Sequence, residues 1–109
     1  MSDLSPSTVV ESRAGVMILQ YLDQALDVYG SSVKQVVYWK FENTHHLSRN
    51  EISSHPEKFV ETIRTIFGTG TSSIEKDIAR DVQQRAGFKY IDSDLVTVIR
   101  KLDDILSQK

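Results

Sequence analysis

Pro56-Glu57-Lys58-Phe59-Val60-Glu61-Thr62-Ile63-Arg64-Thr65-Ile66-Phe67-Gly68-Thr69-Gly70-Thr71-Ser72-Ser73-Ile74-Glu75 decides the fold class of this chain. Proline suits the first position of a helix, where its missing N–H costs nothing. Phe59, Ile63, Ile66 and Phe67 then recur at helical steps. Gly68 and Gly70 stop that helix, and Thr71 or Ser72 offers a hydroxyl to cap the next. Ile74, Ile78 and Val82 resume the step of four, with Ala79 and Ala86 close by, until Gly87. Twenty residues thus spell helix, stop and helix.

The same rhythm extends outward in both directions. Towards the N-terminus, Val10, Ala14, Met17, Ile18, Tyr21, Leu22, Ala25 and Val28 make one stripe, which predicts a helix from near Thr8 to near Tyr29. Gly30 ends it, and Ser31 and Ser32 can cap a successor. Val33, Val37 and Phe41 share a face of that successor, which fades near Asn43-Thr44. Tyr38 and Trp39 lie to its other sides. Apolar residues around so much of the helix mark it as the central one, with Trp39 in the core. Ser48 and Glu51 fit a capping box at the head of a short turn pinned by Leu47 and Ile52. Towards the C-terminus, Asp92 or Ser93 starts a last helix carrying Leu95, Val98, Ile99, Leu102, Ile105 and Leu106. No segment sustains period-two alternation, which predicts no sheet.

Composition narrows the function classes. At 109 residues the chain has the length of one domain, expected over 9–109 behind a flexible arm at 1–8. Hydrophobic residues make 39% and charged residues 26%, as in globular chains. The net charge of −2 supplies no global field for nucleic acid. Cysteine is absent, which excludes disulfides, thiolate metal sites and a cysteine nucleophile, and suits a cytoplasmic setting. No apolar run is long enough for a membrane span.

The candidate chemistry is thin. His45-His46 with His55 and Glu42 or Glu51 lacks metal-site spacing, so solvated or capping roles are expected. Gly68 to Ser73 has the glycines and hydroxyls of a phosphate loop. It follows a helix rather than a strand and carries no lysine, so it reads as stop and cap. Glu75, placed in the first turn after that loop, favours the positive helix end, and nothing near it in sequence makes it a general base. Arg49, Lys58 and Arg64 are offset by Glu51, Glu57 and Glu61, which gives a mixed face. No catalytic residue, cofactor or metal is expected. The apolar stripe Leu95, Val98, Ile99, Leu102, Ile105 and Leu106 is the candidate partner interface, including a homodimer through the last helix.

Residues from about Ala25 to Ala86 resemble a small output-domain family of archaeal signalling proteins, the Nitrosopumilus output-domain type. The matching marks are Gly30-Ser31-Ser32-Val33-Lys34, Tyr38, Phe41, Leu47, Ile52, Pro56-Glu57-Lys58-Phe59, Ile66-Phe67-Gly68, Gly70 and Ile74-Glu75. The resemblance implies a signalling output module with no catalytic residue to carry over. Standing without a sensor or receiver, it implies a free-standing regulator or adaptor.

The expectation is an all-α compact bundle of four long helices plus one short helical turn. Its core should hold Leu22, Val33, Val37, Phe41, Ile52, Phe59, Ile63, Phe67, Ile74, Ile78, Leu95 and Ile99. Its function should be signal relay through a protein partner. The alternative is a nucleic-acid-binding regulator with a helix-turn-helix-like element around Asn50 to Phe67, which the net acidity disfavours.

Overall fold

Pro56 opens a helix that runs to Phe67, and Gly68 closes it with its amide donating to the Arg64 carbonyl. This is the helix-stop-helix pattern in the computed structural model, which describes residues 13–108. The elements are α1 (Arg13–Asp27), α2 (Ser31–His45), a 3-10 helix (Arg49–Ser54), α3 (Pro56–Phe67), α4 (Thr71–Ala86) and α5 (Leu95–Leu106), with no strand among the described residues. The class is all-α. There are five α-helices rather than four long ones, because each run between breakers reaches at least three turns. The expected arm at 1–8, the expected helix start at Thr8 and Val10 of its stripe lie outside the described residues.

One core joins all six elements. Ile18, Leu22 and Leu26 of α1 meet Val37, Tyr38 and Phe41 of α2. Ile52 of the 3-10 helix, Phe59 and Ile63 of α3, Ile78 and Val82 of α4, and Leu95, Ile99 and Leu102 of α5 complete it. The rings of Phe41 and Phe59 meet edge-on with centroids 6.3 Å apart, a favoured aromatic geometry. Three expected core residues, Val33, Phe67 and Ile74, are only half-buried and pack against this cluster. They sit at helix ends, where one side stays open.

The most extensively packed helix is α1. It packs against α2, the 3-10 helix, α4 and α5. Helix α2, expected at the centre, touches only α1, α3 and the 3-10 helix. It is a flank of the bundle, and that position governs the site below.

The Ser48 box forms as expected: its hydroxyl accepts from the Asn50 amide, and Glu51 Oε2 accepts from the Ser48 amide at 2.9 Å. Ser31, Ser32 and Ser72 make no side-chain cap; Gly30 and Gly70 stand at those N-cap positions. Thr71 lies inside α4 and its hydroxyl donates back to the Gly68 carbonyl, bracing the turn instead. Helix α5 is capped by Asp94, two residues beyond Asp92, whose Oδ1 accepts from the Thr97 amide at 2.8 Å.

Gly68 has φ 67 and ψ −138, a region that only glycine visits without strain. Gly68→Val should therefore lower stability by about 1–3 kcal/mol although open space surrounds the position; an unchanged melting temperature would contradict this. Asp94→Ala should cost about 1 kcal/mol of stability at neutral pH. Hydrogen bonding to the Thr97 side chain, and then to its amide, holds the Asp94 carboxyl below its ordinary 3.8. Its contribution is therefore present above that value and lost as pH falls through the lowered one. Urea titrations across that range should show the deficit of Asp94→Ala shrinking with acid.

Candidate functional site

The apolar surface of α2 comes from a conflict within one helix. Val33, Val37 and Phe41 define its inward stripe, and Tyr38 joins them at 1% exposure. Trp39 lies two residues from both Val37 and Phe41, roughly 200° around the helix from that stripe. The only tryptophan of the chain therefore points outward and is 62% exposed, not core as its size suggests. Val36, one turn before it, is 49% exposed.

The rest of the helix is fixed by polar contacts. Tyr38 Oη donates to Asp23 Oδ1 of α1 at 3.1 Å, and burial pushes this phenol far up, with Asp23 adding to the shift. Lys34 Nζ bridges Asp27 Oδ1 at 2.9 Å and Asp23 Oδ2 at 3.3 Å. The Arg49 guanidinium stacks 4.7 Å from the centre of the Tyr38 ring. It also grips Glu42 with two side-chain bonds, Nε to Oε2 at 3.0 Å and an Nη donor to Oε1 at 3.3 Å. That grip holds the Glu42 carboxyl below its usual range. Gln35, Val36, Trp39, Glu42 and Arg49 line a surface groove of about 340 Å³, with Trp39 and Val36 as its apolar wall.

The residues singled out from sequence do not assemble into a catalytic arrangement. His45 packs its ring on Phe41 with centroids 5.5 Å apart. His46 is the left-handed C-cap of α2, with φ 56. His55 stands between the 3-10 helix and α3. Among the described residues, no group of three or more His, Asp or Glu is arranged to hold a metal ion. Glu75 is the fifth residue of α4, beyond the first turn where the sequence placed it, and it is buried. Arg64 clasps it across the glycine turn, Nε to Oε2 at 2.9 Å and an Nη donor to Oε1 at 3.3 Å. It is a brace between α3 and α4.

The expected partner face on α5 is largely used by the chain itself. Leu95, Val98, Ile99 and Leu102 are buried in the core. Leu106 is half-buried against it, and Ile105 alone of the six reaches the exposed class, at 37%. The basic residues Arg49 and Arg64 are bridged to Glu42 and Glu75, and Arg100 pairs with Glu57. The expected helix-turn-helix-like stretch is a 3-10 helix joined to α3 through the single residue His55.

No family model matches the chain, and no curated protein or solved structure matches it significantly. The functional reading therefore rests on the site itself.

Arg64→Ala should leave the Glu75 carboxylate buried without its partner and cost about 1–3 kcal/mol of stability. Arg64→Ala combined with Glu75→Leu should recover part of that loss. Chemical denaturation of the three variants against the parent checks both statements.

Proposed function

We propose that this chain is a protein-interaction module that relays a signal by docking through α2, without catalysis of its own. The observation that carries the reading is Trp39, an exposed tryptophan with exposed Val36 one turn away. Tryptophan is among the residue types that anchor interfaces, and a rigid aromatic beside an aliphatic loses little conformational entropy on docking. The helix beneath is held by Tyr38, Lys34 and Arg49, so the anchor stands on a fixed support. The likeness of Ala25 to Ala86 to signalling output domains belongs to the same proposal and favours a relay in the cytoplasm. A nucleic-acid role has less behind it, since five of the arginines, Arg49, Arg64, Arg80, Arg85 and Arg100, are already paired with carboxylates.

Trp39→Ala decides the matter, because the side chain leaves the fold almost untouched. The variant should melt within about 2 °C of the parent, as surface changes do. In parallel captures from native lysate it should lose a stoichiometric protein, a further copy of this chain included, that the parent retains. Identical sets retained by both would overturn the proposal.

A further inference from the structure

The chain between α4 and α5, residues 87–94, forms no helix, yet it is held in place. The buried Gln83 side chain grips it at Ile91. Its Oε1 accepts from the Ile91 amide at 2.9 Å, and its Nε2 donates to the Ile91 carbonyl at 3.2 Å. One turn earlier in the strap, the Phe88 amide donates to the Gln83 carbonyl at 3.1 Å. The segment is a strap fastened at both points, with Lys89 between them.

Between this strap and α5 lies a cavity of about 20 Å³. Phe88 and Ile91 of the strap and Val98, Leu102 and Ile105 of α5 make its apolar walls. Gln83 also lines it, but both ends of its amide are engaged with the backbone of Ile91 and Ala79. The space is about that of one water, but walls of this kind offer water no hydrogen bonds. They also forgo the dispersion contacts that a methyl or methylene group would restore. Ile105, 37% exposed, carries the apolar wall out to the surface.

The charges at this cavity have one sign. Lys89 and Lys101 line it, and no carboxylate does. Neither lysine has an ion-pair or hydrogen-bond partner among the described residues. The neighbouring grooves differ: Asp77 and Asp81 line one, Asp103 and Asp104 a second, and Glu42 a third. Lysine lays its methylene stem along apolar surface and keeps its ammonium in water. The cavity is thus apolar within and cationic at its rim. Its width admits the end of an alkyl chain and excludes a ring.

We propose that the cavity between the 87–94 strap and α5 binds a straight-chain aliphatic carboxylate, with its terminal methyl inside, its chain along Ile105 and its carboxylate against Lys89 and Lys101. The site lies apart from the α2 face, so this proposal and the docking role of Trp39 stand or fall separately.

Octanoate is the probe. Calorimetry should show saturable binding with a dissociation constant of about 0.1–1 mM, and the melting temperature should rise with its concentration. Octylammonium keeps the tail and reverses the head; benzoate keeps the head on a ring. Each should bind about tenfold more weakly or less. Lys89→Gln combined with Lys101→Gln, both at exposed positions, should weaken octanoate about tenfold. Ile105→Glu sets a carboxylate at the mouth and should abolish binding. Methyl resonances of Val98, Leu102 and Ile105 should shift during the titration, and Trp39→Ala should bind octanoate as the parent does. No binding up to about 10 mM would overturn the proposal. So would equal affinity for octylammonium, a double lysine variant that binds unchanged, or methyl shifts confined to Val36 of α2.

Discussion

The orientation of α2 hangs on one phenol. Tyr38 is nearly as buried as the phenylalanines around it, yet its hydroxyl must hydrogen-bond once water is excluded. Asp23 supplies that bond from α1, and Arg49 covers the ring from the 3-10 helix. Three elements are thereby referred to one side chain. Turning α2 to bury Trp39 would pull Tyr38 from Asp23 and lift Phe41 out of the edge-on contact with Phe59. The fold keeps the satisfied tyrosine inside and leaves the larger tryptophan outside.

The helical skeleton was legible because its signals are local. Pro56, Gly68, Gly87 and the Ser48–Glu51 pair act within a few residues of themselves, and each stands where its chemistry places it. The stripe on α5 was equally legible, but its destination was not. Whether Leu95, Val98, Ile99 and Leu102 cover their own bundle or another chain depends on α1, α3 and α4 lying close enough to receive them. That is a matter of tertiary geometry with no local signature.

The outward face of α2 was less legible for a related reason. The size of Trp39 suggests the core, whereas its angular distance from Val37 and Phe41 puts it on the far side of the helix. Reading α2 as central hid that geometry, since a helix surrounded by neighbours has no far side. Asp94 shows a smaller form of the same limit. Asp92, Ser93 and Asp94 can all cap a helix, and the choice falls to the one whose position lets Leu95 turn directly into the core.

The position of α1 has a consequence for the order in which the chain is made. Helix α1, the most extensively packed element, precedes the other five in the chain, and two of its four partners, α4 and α5, emerge last. Synthesis proceeds at about 5–20 residues per second. For several seconds Ile18, Leu22 and Leu26 therefore have only α2 and the 3-10 helix to lean on. The bundle closes around α1 as a late event, when the C-terminal pair arrives to cover an apolar face that the ribosome released first.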